Sequence, residues 1–202
     1  STLLGQLMRG YTQAVGVSGT HGKTTTTAML SKILVDCGLD PAIHIGGDYD
    51  YIGGSTRLGA KNVFVAEACE FHSSFLEMHP TVAIVLNIQE DHLDYYKDLA
   101  DIANAFRKFV GKVPPEGVFI GNGEDENVLA IMKDATCRGE TFGFTENCDW
   151  RPHGLTLDGE GRPSFTLTFH GEPVCEMTLR VAGQFNIMNA MAAMAAAHAL
   201  GT

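Results

Sequence analysis

The sequence predicts an α/β domain with a mostly parallel sheet of the P-loop type, flanked by helices, and a small antiparallel β subsheet toward the C-terminal end. Strand-like and helix-like segments alternate as far as about Phe144, as they do in parallel α/β folds. From Trp150 to Val181 the pattern changes to short strands separated by turns. The third observation is a glycine-rich loop near the N-terminus, which lies between an apolar run and a helical pattern.

The parallel part of the sheet is predicted from short, continuous apolar runs, which are typical of strands buried on both faces. The candidate strands are Ala14–Val17, Ala42–Ile45, Asn62–Ala66, Val82–Leu86 and Gly117–Ile120. Between them, apolar residues recur with helical spacing. The candidate helices are Thr24–Leu34, Ser73–Met78, Leu99–Val110 and Glu126–Lys133.

The C-terminal part of the chain has the shorter period of antiparallel strands. Two turn-like segments, residues 158–161 and 170–172, predict hairpins. The strands that they separate are Gly154–Leu157, Ser164–Phe169 and Val174–Val181. A helix rich in alanine and methionine follows, from about Ile187 to Leu200. There is no repeat and no long linker, so we expect one domain over residues 1–202.

Composition and charge exclude several classes of partner. The chain has 14 Lys and Arg against 24 Asp and Glu, a formal net charge of −10, which repels a nucleic-acid backbone or an anionic membrane. No apolar run approaches the roughly 20 residues of a membrane span, and the N-terminus lacks the features of a signal peptide. The five cysteines form no Cys-x-x-Cys pair. We therefore expect a cytoplasmic protein with reduced, mostly buried thiols and no zinc site.

Residues 17–24, Val-Ser-Gly-Thr-His-Gly-Lys-Thr, have the pattern of a loop that cradles the phosphates of a nucleotide. Small residues let backbone N–H groups face phosphate oxygens, Lys23 supplies a charge for the β- and γ-phosphates, and Thr24 offers a hydroxyl to Mg²⁺. The strict pattern has glycine where this chain has Val17. The alternative is a chance Gly-Lys-Thr in a surface turn, which the strand-to-helix setting disfavours. We expect Lys23 on a solvent-facing loop, where it binds the ligand and does not stabilise the core.

A carboxylate ends the predicted strand Asn62–Ala66. In nucleotide-binding sheets, an acid at the carboxyl end of a strand near the phosphate loop reaches the Mg²⁺ that the triphosphate holds. Glu67 is the candidate for this role. The alternative is that Glu67 caps the next helix.

Another buried strand, Val82–Leu86, runs to the same edge of the sheet. It delivers Asn87, Asp91, His92 and Asp94 into the following loop. A lone histidine is more often structural, and Mg²⁺ prefers oxygen ligands. At this edge, however, His92 is also a candidate metal ligand, or a group that holds a metal-bound water.

Four segments together resemble the central ATP-binding domain of the Mur ligase family, which ligates amino acids in bacterial cell-wall synthesis. They are GTHGKTTTTAM at 19–29, EACEFHSSFL at 67–76, LNIQEDHLDYY at 86–96 and GQFNIMNAMAA at 183–193. The resemblance covers nearly the whole chain. Thr20-His21 and the loop at residues 53–59 look most like the branch that joins L-alanine to UDP-N-acetylmuramate.

The resemblance implies an ATP- and Mg²⁺-dependent carboxylate–amine ligase that works through an acyl phosphate. It implies that Thr24 and Glu67 hold one metal and that His92 serves a second metal position, with Lys23, Glu67 and His92 as catalytic residues. The residues that would bind ATP are Gly19, Thr20, His21, Gly22, Lys23, Thr24, Thr25, Asn186 and Asn189. The last two would meet the adenine from one face of a helix. The residues that would contact the substrate are Ser55, Thr56 and Arg57.

The chain also departs from the family's pattern. Phe185 stands where the family often has histidine, and Cys69, Phe71 and His72 replace polar residues of the alanine-adding branch; Glu70 and Ser74 are further site candidates. The family places a UDP-binding domain before this one and an amino-acid domain after it, so we expect the chain to be a central domain from a larger enzyme. The alternatives are a recycling ligase that attaches a preformed peptide to the same sugar nucleotide, and a standalone P-loop ATPase or regulatory module.

Overall fold

The computed structural model describes residues 2–60 and 62–202, which form a ten-stranded sheet between helices. The strands are β1 (Gln13–Ser18), β2 (Ala42–Tyr49), β3 (Gly54–Arg57), β4 (Val63–Glu67), β5 (Val82–Val85), β6 (Val118–Asn122), β7 (Arg138–Phe142), β8 (Trp150–Leu157), β9 (Pro163–Phe169) and β10 (Glu172–Thr178). The helices are α1 (Thr2–Met8), α2 (Lys23–Asp36), α3 (Leu99–Val110), α4 (Glu126–Met132) and α5 (Gln184–Ala199).

The strand order is β10-β9-β8-β7-β6-β5-β1-β4-β2-β3. In this spatial order, every neighbouring pair from β8 through to β2 is parallel. At one end of the sheet β8, β9 and β10 pair antiparallel, and at the other end β3 pairs antiparallel with β2. The predicted mixed fold is therefore confirmed. The antiparallel strands continue the main sheet, because Phe142 of β7 pairs with Trp150 of β8.

Helices cover both faces of the sheet, as continuous apolar strands require. On one face, Val15 and Val17 of β1 belong to a core that includes α2 and α5. On the other face, Ala14 belongs to a core with α1, α3 and α4. Gly16 of β1 lets Phe109 of α3 pack close to the sheet, because a β-carbon on Gly16 would lie 2.9 Å from the Phe109 ring.

Local sequence determines α3 most clearly, and the observed helix has the predicted bounds. The Asp98 side chain accepts a hydrogen bond from the Asp101 N–H at the helix start, and Arg107 and Lys108 lie in the last turn. A side-chain cap and basic residues near the C-terminus both stabilise a helix.

Three expectations about local structure are wrong. The predicted helix Ser73–Met78 is instead part of a stretch of 3-10 turns, Phe71–Glu77, in which His72 and Ser73 have φ of 51° and 53°. A positive φ at two successive residues is incompatible with a right-handed α-helix, so the helix cannot form across them. The predicted loop at residues 53–59 contains the edge strand β3. The thiols are not mostly buried, because only Cys148 is buried while Cys37 and Cys69 are exposed.

Two further elements, α1 and β7, have no counterpart in the sequence prediction. The sequence of β7, Arg-Gly-Glu-Thr-Phe, is largely polar, and its buried Glu140 accepts a hydrogen bond from the Trp150 indole N–H at 2.8 Å. Among the residues described, no helix is long and apolar enough to cross a bilayer.

Candidate functional site

The candidate site lies at the carboxyl edge of the parallel strands. The glycine-rich loop follows β1, Glu67 ends β4, Asn87 follows β5 and Asn122 ends β6. Because β1 lies between β4 and β5, these side chains surround the loop. Ligands of open α/β sheets bind at this edge.

The loop has the backbone shape that its glycines permit. Gly19 and Gly22 have φ of 134° and 89°, values that favour glycine. A β-carbon on Gly22 would lie 2.6 Å from Asn189 Oδ1. In the part of the chain that the structure describes, no side chain caps the N-terminus of α2. The first backbone N–H groups of α2 are thus available to an anion.

Asn87 fixes the shape of the loop. Its Oδ1 accepts a hydrogen bond from the His21 N–H at 2.8 Å, and its Nδ2 donates to the His21 carbonyl at 3.1 Å. Its backbone carbonyl accepts from the Thr20 N–H at 3.1 Å. The Thr20 hydroxyl oxygen accepts from the Gln89 N–H at 3.0 Å. The N–H groups of Thr20 and His21 are therefore engaged within the protein, so the backbone donors open to an anion are those of the segment from Gly22 to Thr25.

Contrary to the expectation from the sequence, the side chain of Lys23 does not face the solvent. Its side chain is 17% exposed, and its ammonium lies 3.1 Å from Oε1 and 3.0 Å from Oε2 of Glu70, whose side chain is 3% exposed. It also donates to the carbonyls of Gly19 at 2.6 Å and Thr20 at 3.2 Å. Sequence reasoning overlooked this pairing, because Glu70 is 47 residues away in the chain.

Thr24 and Glu67 form an oxygen-rich pair at the start of α2. The Thr24 hydroxyl donates to Glu67 Oε2 at 3.2 Å, and Glu67 Oε1 accepts from the Gly46 N–H at 2.6 Å. A β-carbon on Gly46 would lie 2.9 Å from Glu67 Oε2, so a glycine in the middle of β2 makes room for the carboxylate. The sequence prediction did not include Gly46, although the Gly46-Gly47 doublet was a signal for it.

His92 lies in a second cluster. Its Nε2 is 3.9 Å from Glu70 Oε1 and 3.8 Å from Asp91 Oδ2, and its φ is 52°. One ligand atom from each of these three residues lies within 4.8 Å of the others. The structure thus groups His92 with Glu70 and Asp91. Next to this cluster the Tyr96 hydroxyl donates to the Glu70 carbonyl, and burial raises the pKa of Tyr96 above its ordinary 10.

The two asparagines of α5 face different cavities. Asn189 is 8% exposed and lines a cavity of about 550 Å³ between α5 and the ends of β5 and β6. Asn186 donates to the Ala182 carbonyl at 2.7 Å and lines a separate apolar cavity of about 700 Å³ between α2, β2 and β10. The structure therefore does not bring Asn186 and Asn189 to one ligand position. Their spacing of three turns their side chains by about 60° around the helix.

The cavity beside Asn189, hereafter the amide-lined cavity, combines polar and apolar walls. Phe142 and Met188 supply apolar surface, and Phe185, which is 86% exposed, lies at its boundary. Its side-chain amides belong to Asn87, Gln89, Asn122, Asn127, Gln184 and Asn189. The carboxylates of Glu124 and Asp125 also line it, so the cavity is more polar than a typical small-molecule site.

The predicted substrate residues lie on the edge strand β3. Arg57 is paired with Asp40 at 2.6 Å and donates to the Pro41 carbonyl at 2.6 Å, near the amino end of β2. Thr56 Oγ1 lies 3.2 Å from His44 Nδ1. Arg57 is therefore engaged within the protein at the opposite edge from the phosphate loop, while Ser55 is partly exposed.

Comparisons with known proteins show the family to which the chain belongs. A profile of the Mur ligase middle domain matches residues 17–197. The UDP-N-acetylmuramate–L-alanine ligase of Acetivibrio thermocellus is 49% identical over 202 residues, which are 100% of this chain and 43% of that protein. The enzyme of the same name from Alkaliphilus metalliredigens is 41% identical over 199 residues, 98% of this chain and 43% of that protein. The chain thus spans less than half the length of these curated relatives.

Solved structures include two informative matches. The UDP-N-acetylmuramate–alanine ligase of Thermotoga maritima aligns with a TM-score of 0.82 and 28% identity, covering 98% of this chain and 44% of that chain. The UDP-N-acetylmuramate:L-alanyl-γ-D-glutamyl-meso-diaminopimelate ligase of Neisseria meningitides aligns with a TM-score of 0.84 and 31% identity, covering 96% and 63%. On the profile match and these relatives, the chain belongs to the Mur ligase family.

Proposed function

We propose that this chain supplies the ATP and magnesium site of a ligase that joins L-alanine to UDP-N-acetylmuramate through an acyl phosphate. The observation that carries the proposal is the arrangement of Lys23, Thr24 and Glu67 around the open N-terminus of α2. Phosphoryl transfer from ATP uses three such parts: an uncapped helix start, a lysine, and an acid at the end of the strand that neighbours β1 in the sheet.

In this proposal, the N–H groups of residues 22–25 bind the phosphates, and the adenine enters the amide-lined cavity. The cavity begins beside the loop, because His21 and Asn189 both line it. Its volume of about 550 Å³ lies in the range of small-molecule sites. Asn189 is the candidate for the adenine edge and Phe185 for stacking on its face. Asn186, at the apolar cavity, is not part of this proposed contact.

The residues present fit a magnesium ion. Thr24 and Glu67 offer hard oxygen ligands 3.2 Å apart, and Mg²⁺ is commonly held by one or two carboxylates and the phosphates of a substrate. When bound, the ion would neutralise charge on the transferring phosphoryl group. We propose that His92, with Glu70 and Asp91 beside it, serves a second metal position nearer the acceptor carboxylate.

The remaining steps depend on side chains of this chain. Lys23 would bind the β- and γ-phosphates and stabilise the charge that develops during transfer to the carboxylate of the sugar nucleotide. Asn87 would keep the loop in the shape that binds phosphate. An amine then displaces phosphate from the acyl phosphate.

The flanking functions belong to the rest of a longer protein in this proposal. The chain spans 43% of the length of two curated relatives, and we propose that it is their equivalent central domain. Domains on either side would bind UDP-N-acetylmuramate and L-alanine. Ser55 is the candidate on β3 for a substrate contact. We further propose a cytoplasmic location, where ATP and the sugar nucleotide are available.

One observation favours a second candidate. The match to the ligase of Neisseria meningitides, named for a tripeptide, has a TM-score of 0.84. A ligase that attaches a preformed peptide is therefore the alternative. The 49% identity to an L-alanine ligase, against 31% to the tripeptide ligase, favours L-alanine.

The test uses the protein at the length of its relatives, with ATP, Mg²⁺ and UDP-N-acetylmuramate. Phosphate release is measured with a panel of amino acids and with L-alanyl-γ-D-glutamyl-meso-diaminopimelate. Strong stimulation by L-alanine alone supports the proposal, and stimulation by the tripeptide alone supports the alternative. ATP hydrolysis that needs no sugar nucleotide and no amine would indicate a standalone ATPase.

A further inference from the structure

The ammonium of Lys23 has no free hydrogen-bond donor in this structure. A lysine ammonium carries three N–H donors. Two of them are directed at the carbonyls of Gly19 and Thr20, at 2.6 and 3.2 Å. The third is directed at Glu70 Oε1 at 3.1 Å. A phosphate oxygen that binds Lys23 must therefore replace one of these acceptors.

Glu70 is the acceptor that a phosphate resembles most. It is a carboxylate, whereas the carbonyls of Gly19 and Thr20 belong to the loop itself and move only with its backbone. Glu70 is 2% exposed. Its Oε2 lies 3.0 Å from the ammonium of Lys23 but lacks the geometry of a hydrogen bond. Of the three acceptors, Glu70 alone carries a full negative charge, so its attraction to the ammonium acts between two unit charges.

We propose that Glu70 is a positioning residue that competes with the phosphate of the nucleotide for the ammonium of Lys23. Nucleotide binding then exchanges one anion for another at Lys23. Before binding, Glu70 keeps the ammonium at the loop. On binding, the phosphate takes the third donor and Glu70 turns toward the partly exposed His92, whose Nε2 is 3.9 Å from Oε1. The inference rests on the proposed nucleotide site and adds to it an internal competitor.

The competition predicts an unusual sign for a substitution. Glu70→Gln keeps the shape of the side chain and removes its charge, so the ammonium of Lys23 loses its strongest internal acceptor. We expect metal-free ADP to bind about tenfold more tightly to this variant than to the wild-type chain. A purely structural role for Glu70 predicts weaker binding or no change.

Glu67→Gln is the matched control. It removes the same charge from the same edge of the sheet, but Glu67 contacts Thr24 and Gly46 and does not contact Lys23. General electrostatic repulsion of ADP would be relieved in both variants. Competition for Lys23 would be relieved in Glu70→Gln alone.

The experiment is calorimetric titration of ADP, in the presence of a chelator, into the wild-type chain and both variants. Tighter binding by Glu70→Gln alone supports the proposal. Unchanged or weaker binding by Glu70→Gln, or equal tightening by Glu67→Gln, overturns it while leaving the nucleotide site in place. No binding of ADP by any of the three proteins overturns the nucleotide site itself.

A crystal structure of the wild-type chain with ADP and no metal tests the exchange without a variant. The proposal expects Lys23 Nζ within hydrogen-bond distance of the β-phosphate and more than about 4 Å from both oxygens of Glu70. A Lys23 that binds phosphate while still 3.0 Å from Glu70 overturns it.

Discussion

Asn87→Ala is the substitution that most directly tests how the phosphate loop is held. The side chain makes two hydrogen bonds to the backbone of His21, at 2.8 and 3.1 Å. The backbone bond from the Thr20 N–H to the Asn87 carbonyl remains in the variant. The change therefore releases the middle of the loop and leaves its start attached.

The expected magnitudes follow from these two bonds. Each hydrogen bond contributes about 0.5–1.5 kcal/mol to stability, and His21 is exposed, so water replaces part of the loss. We expect the free energy of unfolding to fall by about 1 kcal/mol. Ordering one freed residue costs about 1–2 kcal/mol. Since ADP binding must now restore the loop, we expect Mg²⁺-ADP to bind about 5- to 30-fold more weakly.

Urea unfolding measures the first quantity and calorimetric titration the second. Ser18→Ala is the control, because the buried Ser18 hydroxyl donates to the Ile84 carbonyl at 2.7 Å beside the loop. It should lower stability by a similar amount and leave ADP affinity near that of the wild type. The reasoning is refuted if Asn87→Ala binds Mg²⁺-ADP as tightly as the wild type, or if Ser18→Ala weakens binding equally.

Three further predictions concern charged groups. Lys23→Ala should abolish ADP binding and, because it leaves the buried Glu70 unpaired, lower the free energy of unfolding by about 3–5 kcal/mol; the double variant with Glu70→Gln should recover most of that stability in urea unfolding but no binding in calorimetry. Glu67→Gln should remove most of the gain in ADP affinity that Mg²⁺ gives. His92→Asn should slow phosphate release more than it weakens ATP binding. Equal Mg²⁺ dependence in the wild type and these two variants would indicate that Glu67 and His92 are structural. Burial lowers the pKa of His79 from its ordinary 6.5, so the unfolded chain binds the proton more readily and the free energy of unfolding should fall as pH drops below about 6.5. Urea unfolding at pH 7.5 and 5.5 should show a smaller fall for His79→Gln than for the wild type. An equal fall in the two proteins would contradict the assignment.

The sequence predicts the fold where local signals and burial agree. The bounds of α3 are correct because Asp98 caps it and its apolar spacing is regular. The turns Phe71–Glu77 and strand β7 were not predicted because their conformation depends on distant partners. The buried Glu140 of β7 accepts a hydrogen bond from the Trp150 indole N–H and pairs with Arg138, and composition cannot reveal those partners.

The candidate site shows the same division. The rule that ligands meet carboxyl strand ends is enough to bring Thr24 and Glu67 together, and they lie 3.2 Å apart. It does not predict that Lys23 turns inward to Glu70, since that choice depends on side-chain packing. Nor does helical spacing predict that Asn186 and Asn189 face different cavities, because the walls of those cavities come from β6 and β10.

The central claim is that ATP and a divalent cation bind at the start of α2. The most direct measurement is a crystal structure of the chain with ADP and Mn²⁺, in which anomalous scattering locates the metal. We expect the phosphates at the N–H groups of residues 22–25 and the anomalous peak at bonding distance from Thr24 Oγ1 and Glu67. A nucleotide bound elsewhere, or a metal that contacts neither residue, would contradict the claim.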